Sequence, residues 1–424
     1  MNHPATSLWS WIAHRLVANY WFLAVCAVAA APLAFALSLY LDRRVLTGWI
    51  LDRDLAPVTT ADTAKEVASV VAGIDAAFIT LYFSISLIVL TIAAGNLGVR
   101  LIDRWLGRRL VRVSIAGLSF SVIFAVLTLA AIDADAALEE TPLATFSLTL
   151  LLLAVNVAML AVALHDLGRT MFVDKAIDAL ADDAIACVRA IDGRPPFDGE
   201  FAQVIAAPRD GYVEGNDLDR LAKRLADHEG AIRICVAPGQ HVLQGEPLAM
   251  FERTLTDTDV VKEALPIGPF RSDSQGAVFQ IRLIVEIAAR ALSPAVNDFY
   301  TALAAADALA EIMLRHSGNW VDPGEIAVSA SHPRFELPGQ DFHGLFGDPL
   351  NAFRQAAADY PSVSIRMIGN YGRIIRGVKA AGGPPGLAAY LDDKARVLQD
   401  HAVARAQLDQ DRSDIRAAYE EKAD

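Results

Sequence analysis

Residues 110–132 read LVRVSIAGLSFSVIFAVLTLAAI, and residues 143–164 read LATFSLTLLLLAVNVAMLAVAL. Apart from Arg112 close to its start, the first stretch has no acid or base, and the second has none. Each is about as long as the ~20 apolar residues that cross the ~30 Å hydrocarbon core of a bilayer as an α-helix. Both stretches therefore predict transmembrane helices, and they decide the fold because such segments are stable in lipid rather than in water.

Two earlier stretches, residues 21–41 and 73–97, have a similar length and apolar character. The first starts beside an aromatic cluster at residues 20–22, which is typical of a headgroup anchor. A signal peptide is the alternative, since Arg15 precedes this stretch and an Ala-Phe-Ala triplet lies near its end, but the apolar run is longer than a usual signal core. We predict a short N-terminal segment, 1–20, followed by a four-helix transmembrane domain over residues 21–166.

The composition divides the chain into an apolar part and a part of ordinary globular character. The chain has 424 residues, of which 54% are hydrophobic, and its formal net charge is −13. The acidic balance and the lack of a basic run argue against nucleic acid as a partner and against docking on anionic lipid. The three cysteines, Cys26, Cys187 and Cys235, are widely spaced, which predicts buried, inert thiols and no disulfide framework.

No pattern in the sequence indicates catalysis. There is no nucleophile placed with a base, no glycine-rich phosphate loop and no metal-ligand spacing, and His332 and His343 are isolated. We therefore predict that the chain is not an enzyme and holds no cofactor and no metal.

The charges of the loops predict the orientation. The second loop is rich in arginine, whereas the third carries only acids, and positively charged loops stay inside. We predict a multi-pass protein of the bacterial inner (plasma) membrane with both termini in the cytoplasm. The residues concerned are Arg100, Arg104, Arg108, Arg109 and Arg112 in the second loop and Asp133, Asp135, Glu139 and Glu140 in the third.

The second apolar stretch is unusual because it is polar on two sides. At 100° per residue, one face carries Asp75, Tyr82 and Ser86, and the opposite face carries Thr80, Ser84 and Thr91. Such a helix should not face lipid on either side, so we predict that it lies centrally in the bundle or at a subunit contact. These six residues form a candidate transmembrane polar site.

Two interpretations of this site remain open. Asp75 is a functional group inside the span, or it lies at the outer interface, where water solvates it and it helps to cap the helix. The hydroxyl groups line a pore, or they only hold helices together. Asn156, midway along the fourth stretch, is similarly ambiguous.

The remainder of the chain is predicted to be a cytoplasmic α+β region. A strand-rich part with glycines at turns resembles half of a biotinyl/lipoyl-type barrel sandwich, but it has no lysine on a hairpin, which favours an interaction or spacer module over a cofactor carrier. The segments 326–337 and 362–369 alternate as strands do, and residues 387–422 predict one charged helix, either solvated or weakly paired in an oligomer. The predicted divisions are a connector helix, 167–200; a β-rich barrel-sandwich-like module, 201–265; an α+β domain with a helix-turn-helix corner, 266–380; and a linker with a charged C-terminal helix, 381–424.

The helix-turn-helix corner is the second candidate site. Helices are predicted over residues 275–292 and 298–315, with Pro294 between them. Either the polar groups of the corner satisfy free backbone ends of a capped turn, or the corner binds a ligand or partner. The candidate cytoplasmic motif comprises Glu286, Arg290, Ser293, Pro294, Asn297, Asp298 and Thr301.

This corner resembles a motif, roughly R-A-L-S-P-G-x-N-D-P-x-T-A, of a bacterial family named domain of unknown function 2254, which consists of predicted membrane proteins. Ala295 replaces the glycine and Phe299 replaces the second proline, which changes the backbone freedom of the turn. Residues 79–101, 210–213 and 238–248 are also similar to the family. The resemblance covers most of the chain and implies a membrane layout, but no activity. The matching residues are Arg290, Ala291, Leu292, Ser293, Pro294, Asn297, Asp298, Thr301 and Ala302.

Two functions fit these features. The first is an oligomeric channel or transporter with a cytoplasmic sensing or gating domain, and it requires a homo-oligomer in the lipid bilayer because four helices rarely enclose a pore alone. The alternative is a membrane-anchored signalling or scaffold protein whose cytoplasmic modules bind a protein partner or a small ligand.

Overall fold

The computed structural model describes residues 20–98, 109–169, 172–271 and 273–422. The chain forms two compact units, Met1–Phe172 and Val173–Asp424. The first is helical, and the second combines helices with two β-sheets.

The first unit contains the apolar helices. Helix α1 continues through a π-helical turn, Asp42–Leu46, into the short α2. Within the described residues, four helices are long and apolar enough to cross a membrane, in agreement with the four predicted spans. The helices are α1, Tyr20–Leu41; α2, Thr47–Asp52; α3, Ala61–Leu97; α4, Arg109–Ala131; and α5, Leu143–Arg169.

Helix α3 begins three turns before the predicted residue 73. The side chain of Thr60 caps it by accepting a hydrogen bond from the Thr63 amide (3.2 Å). The added turns contain charged residues, so hydropathy does not mark them as part of a span. They are nevertheless held against the bundle because Ala64, Ala68 and Val71 bury one helical face.

The central helix of this unit is α4, and the prediction that α3 is central is wrong. In the most apolar 18-residue stretch of each helix, 44% of the residues are buried in α4 and 17% in α3. Helix α4 packs on α1, α3 and α5. Small residues let its neighbours approach closely: a Cβ on Gly117 would lie 3.2 Å from the terminal methyl carbon of Met159. The alternative prediction for α3, a subunit contact, stays a prediction.

The second unit contains two open sheets that share one apolar core. One has six strands in the order β1-β8-β9-β4-β6-β2, and the other has three in the order β5-β3-β7. The α+β class is as predicted, but the sheets do not close into a barrel. The strands are β1, Ile191–Arg194; β2, Gln203–Ala206; β3, Gly211–Val213; β4, Ile232–Ile234; β5, His241–Val242; β6, Pro247–Phe251; β7, Ile267–Gly268; β8, Ile326–Ser329; and β9, Phe335–Glu336.

The six-stranded sheet extends beyond the predicted module because β1, β8 and β9 come from other parts of the chain. Strand β9 pairs in parallel with β4 and in antiparallel with β8, which brings residues 326–336 beside residues 232–234. These strands are only two to five residues long, so hydrophobic alternation could not assign their partners.

An ion cluster around a buried carboxylate joins β9 and β4, the two central strands of this sheet. Glu336 is fully buried and accepts hydrogen bonds from the Arg233 Nε (2.8 Å) and the Phe197 amide (2.6 Å). Arg194 lies 3.5 Å from the same carboxylate. A buried carboxylate with this many donors is compensated, and removing it would leave two guanidinium groups without their partner.

The longer helices of the second unit pack on one another, whereas the short helices Leu218–Arg224 and Asp259–Ala264 contribute to the core of the sheets. Helix α6 packs against α9 and α10, and α12 packs against α10 and α13. The helices are α6, Val173–Ala186; α7, Leu218–Arg224; α8, Asp259–Ala264; α9, Ala277–Ala291; α10, Phe299–Arg315; α11, Phe342–Ala357; α12, Pro361–Ala380; α13, Pro385–Arg405; and α14, Asp409–Glu421.

Three sequence predictions are wrong, and one of them also concerns the first unit. Residues 362–369 belong to α12 and not to a strand, since Pro361 starts the helix and residues buried at helical spacing follow it. The charged C-terminal segment forms two helices, and its apolar stripe, including Leu391 and Leu398, is fully buried within the chain rather than solvated or free to pair. Of the cysteines, Cys26 and Cys187 are exposed and not buried.

One buried histidine joins α10 to α6. The Nε2 of His316 donates to the carbonyl oxygen of Ala184 (3.3 Å), and its Nδ1 has no hydrogen-bond partner in the described part of the chain. Burial lowers the pKa of His316 below its ordinary value of 6.5, because the charged imidazolium is poorly solvated there. The neutral ring is therefore the form that suits this packing.

Candidate functional site in the transmembrane helices

Three polar side chains from three helices meet inside the first unit. Ser121 of α4 donates its hydroxyl to Oδ2 of Asp75 on α3 (2.6 Å), and Asn156 of α5 donates its amide to Oδ1 (2.9 Å). Asp75 is fully buried, and Ser121 and Asn156 are at most 2% exposed. We call these residues the Asp75 triad.

The Asp75 triad lies near the middle of the spans. At 1.5 Å per residue, Ser121 lies about 18 Å along α4 from its start and about 15 Å from its end. Asn156 is at the midpoint of α5. The interpretation that places Asp75 at a solvated interface is therefore wrong: Thr60 caps α3, and Asp75 is fully buried about 22 Å further along the helix.

A second polar layer lies at the end of the bundle that contains residues 42–60, which we call the first-loop end. The Asp42 carboxylate accepts hydrogen bonds from the Thr47 hydroxyl (2.7 Å), the Ala144 amide (2.9 Å), and the Thr145 amide and hydroxyl (both 2.6 Å). It thus caps the first turn of α5, where the helix dipole also favours a negative charge. One turn further along α5, the Thr149 hydroxyl donates to the Thr128 hydroxyl of α4 (3.1 Å).

A third polar layer lies towards the other end of the bundle, which we call the second-loop end. Tyr82 and Ser86 of α3 and Ser114 of α4 are all at most 5% exposed. Among the residues that the structure describes, none forms a hydrogen bond with the hydroxyl group of Ser86 or of Ser114. Buried hydroxyl groups without a partner are costly in an apolar environment and usually have a specific reason.

Together the three layers form a polar line through the bundle. In α4, Ser114, Ser121 and Thr128 are each two helical turns apart, so they lie on one face at intervals of about 10 Å. Apolar side chains separate the layers: Ala125 contributes to a cluster on one side of the Asp75 triad and Leu118 to a cluster on the other. The line is therefore polar but closed in this conformation.

The opposite face of α3 points away from the other helices of its unit. Thr80, Ser84 and Thr91 are exposed. The hydroxyl groups of Thr80 and Thr91 donate to the carbonyl oxygens of Ala76 (2.9 Å) and Leu87 (2.7 Å) one turn earlier in α3. These two hydroxyls are thus satisfied without a partner from another helix, and the structure brings only Asp75, Tyr82 and Ser86 into the interior.

The second candidate site, the corner between α9 and α10, is an exposed capped turn. Asp298 accepts hydrogen bonds from the amide (3.2 Å) and the hydroxyl (2.6 Å) of Thr301, and Glu286 pairs with Arg290 at 3.7 Å. Ser293 receives backbone hydrogen bonds within the turn, next to the exposed Pro294. The polar groups of the motif thus act largely within the corner, as the capping interpretation requires.

The backbone of the corner explains how it tolerates its departures from the family pattern. The left-handed residue is Asn297, with φ of 50°, and asparagine is among the residues that adopt this conformation most readily. Ala295 does not have a positive φ, so a glycine is not required there. Phe299 is the first residue of α10, a position where proline is favoured but not needed.

Most partners of Asp75 and Asp42 were not predicted from the sequence. Ser121, Thr128, Thr145 and Thr149 were not candidates, although the spacing of seven residues between Ser114, Ser121 and Thr128 marks one polar face of α4. Within the described residues, no group of three or more His, Cys, Asp or Glu side chains is placed to hold a metal ion.

These features define a class: a membrane protein with four apolar helices, a buried carboxyl group among them and a separate α+β unit. A model of the family described as "Predicted membrane protein (DUF2254)" matches residues 18–371. The chain belongs to this family. The match includes the whole Asp75 triad and the corner motif.

The relatives found have no described activity. Proteins named only as uncharacterised, from Mycobacterium bovis and from two strains of Mycobacterium tuberculosis, are each 27% identical to the chain over 282 residues. The alignment covers 61% of this chain and 53% of each relative, so the chain spans about half the length of these relatives. No solved structure matches.

Proposed function

We propose that the chain is a channel or transporter of the bacterial inner membrane and that the polar line is part of its pathway. The observation that carries this proposal is the Asp75 triad, an ionisable group buried at the middle of the apolar spans. Ionisable residues in such positions commonly mark pathways for ions or substrates.

The energetic balance favours a functional role for Asp75 over a purely structural one. An aspartate at the centre of a transmembrane helix costs about 3 kcal/mol, whereas hydrogen bonds between transmembrane helices contribute about 0.6 kcal/mol each. The two hydrogen bonds that Asp75 accepts therefore do not offset its burial. A group retained at a net cost is expected to serve the activity of the protein.

The proposed assembly is a homo-oligomer in the lipid bilayer, without nucleic acid. The exposed face of α3, with Thr80, Ser84 and Thr91, is the surface proposed for subunit contact, because hydroxyl-bearing faces are enriched where transmembrane helices meet. We further propose that the second unit is cytoplasmic. The arginines at 100, 104 and 108 that support this orientation lie outside the described residues, while Arg109 and Arg112 lie at the start of α4.

Reconstitution tests the proposal. Purified full-length protein is placed in liposomes, and current or ion flux is recorded under gradients of several ions and an applied voltage. We expect flux that Asp75→Asn abolishes and that Ser119→Ala, a half-buried residue of α4 outside the polar line, preserves. Flux that is absent for every ion would overturn the proposal, provided that circular dichroism shows the reconstituted protein to be folded.

A scaffold function is the second candidate, and one observation favours it. Val296, Phe299 and Tyr300 are exposed at the corner, and the two aromatic rings lie 4.2 Å apart. Exposed aromatic side chains at a defined turn are typical anchors of protein contacts. Purification from membranes with Tyr300→Ser and Asn297→Ala tests this idea, and identical bound proteins for wild type and both variants would contradict it. Neither candidate function involves catalysis.

A further inference from the structure

We infer that the species carried along the polar line is the proton and that Asp75 is the group that binds and releases it. This inference rests on the proposed transport function and names the substrate of the same site. It follows from the donors around the carboxyl group, from the lack of oxygen ligands among those donors and from the polar groups on both sides of the Asp75 triad.

Asp42 and Asp75, the two buried carboxyl groups in the described part of the bundle, have very different surroundings. Asp42 accepts four hydrogen bonds, two of them from backbone amides at the start of α5, as an ionised carboxylate requires. Asp75 accepts two, and both come from neutral side chains. In the parts of the chain that the structure describes, no arginine, lysine or histidine pairs with Asp75, so a bound species that removes its charge must be positive.

The geometry of the Asp75 triad favours the smallest cation. Ca²⁺ requires six to eight oxygen ligands at about 2.3–2.6 Å, and Mg²⁺ requires near-octahedral oxygens and keeps several waters. Here Ser121 and Asn156 direct hydrogens, not lone pairs, at the carboxylate, at donor–acceptor distances of 2.6 and 2.9 Å. A proton needs neither a shell of oxygens nor a cavity, because it binds to one oxygen of Asp75 directly.

The step is balanced without an oxidant or a reductant. A proton enters from one side and forms an O–H bond with Asp75, and the Ser121 hydroxyl turns so that it accepts this hydrogen. The O–H bond then breaks, the proton leaves towards the other side, and a counter-ion balances the charge moved. Water must bridge the intervals of about 10 Å between the layers when the apolar clusters part.

Other ionisable and hydroxyl groups lie along this route. Towards the first-loop end the route passes the hydroxyls of Thr128 and Thr149 and reaches Asp42. Towards the second-loop end it passes Tyr82 on α3, beyond which Arg112 and Asp166 stand near the ends of α4 and α5. Of these groups, none lies within hydrogen-bond distance of Asp75 in the described chain, which leaves Asp75 as the middle stage of the transfer.

The test uses full-length protein in liposomes that contain a pH-sensitive dye. A potassium gradient with valinomycin provides the driving voltage, and the change of internal pH is followed, while parallel samples measure Na⁺, K⁺ and Cl⁻ flux without the ionophore. We expect proton flux for the wild type and a decrease of at least tenfold for Asp75→Asn. Ser119→Ala is the matched control, because it removes a hydroxyl group from α4 outside the polar line, and its flux should stay within twofold of wild type.

The outcomes separate this inference from the proposed function. Proton flux that Asp75→Asn leaves unchanged would overturn the assignment to Asp75. Flux of Na⁺, K⁺ or Cl⁻ that depends on Asp75, with no proton flux, would overturn the inference but leave the transport function. Absence of any flux would overturn both. A thermal unfolding curve of each variant in detergent shows whether a loss of flux has the trivial cause of unfolding.

Discussion

Replacing Asp42 with alanine should weaken the first-loop end of the bundle. Asp42 is 3% exposed, and its carboxylate is the partner of two backbone amides and two hydroxyls. The loss of a helix cap costs about 0.5–2 kcal/mol, and each hydrogen bond to a charged group contributes about 1.5–3 kcal/mol. Since water can enter this end of the helix and replace part of the loss, we expect a decrease of about 3 kcal/mol in the free energy of unfolding.

Two measurements check this value. Unfolding of the purified protein by increasing SDS in mixed micelles gives the change in stability, and hydrogen exchange reports on individual amides. The amides of Ala144 and Thr145 should exchange faster in Asp42→Ala, because they lose their acceptor. The control is Asp52→Ala, an exposed acid at the end of α2 that should change stability by less than about 0.5 kcal/mol.

The reasoning would be refuted if both aspartate variants behaved alike, or if Asp42→Ala destabilised the protein without faster exchange at these two amides. The second result would mean that the carboxylate acts elsewhere in the bundle. Asp42→Asn should fall between the wild type and the alanine variant, because the amide retains one oxygen acceptor for the donors that surround it.

Three further predictions concern the second unit. Glu336→Ala should lower the free energy of unfolding by about 1.5–3 kcal/mol, measured by chemical denaturation of the full chain, because the partly exposed guanidinium groups of Arg194 and Arg233 and the Phe197 amide lose a buried acceptor; a loss below about 0.5 kcal/mol would contradict the ion cluster. Below pH 6.5 the unfolded chain binds a proton at His316, whereas burial lowers the pKa of this residue in the folded chain. The melting temperature should therefore fall as the pH decreases from 6.5 towards the folded pKa, and His316→Gln should make this dependence on pH weaker. If the melting temperature of His316→Gln depended on pH as strongly as that of the wild type, the assignment to His316 would be wrong. Leu391→Ala should cost about 2–5 kcal/mol by the same denaturation, while the exposed Leu408→Ala should cost less than about 0.5 kcal/mol, and similar values for both would show that α13 does not pack as described.

The sequence was sufficient to predict the apolar helices because the membrane imposes a length and a composition on each of them independently. Hydropathy along 110–132 and 143–164 requires no knowledge of the rest of the chain. Hydropathy placed the start of α3 twelve residues too late, because the first turns of this helix contain charged residues. Contacts of Ala64 and Ala68 with other segments hold these turns in place. Hydropathy does not distinguish a helix that ends at the membrane surface from one that continues beyond it, because the additional turns are stabilised only by packing.

The residues of the candidate polar site could be predicted from the sequence, but their depth in the helix bundle could not. The helical wheel placed Asp75, Tyr82 and Ser86 on one face, and all three are buried. Their partners Ser121 and Asn156 lie on other helices, and which residues share a level depends on how the helices are offset, a quantity that no single segment contains. The same limit explains β4 and β9, which pair in parallel although about a hundred residues of chain lie between them.

The last two helices have a consequence for the family. The matched region ends at residue 371, halfway along α12, so α13 and α14 are additional to what the family model describes. In this protein α13 and α14 pack on α12, and apolar side chains of both, including Leu387, Leu391 and Ile415, are fully buried. A chain truncated near residue 380 would therefore expose an apolar surface of α12 and aggregate during purification. A fusion partner attached at that point would have to bury this surface.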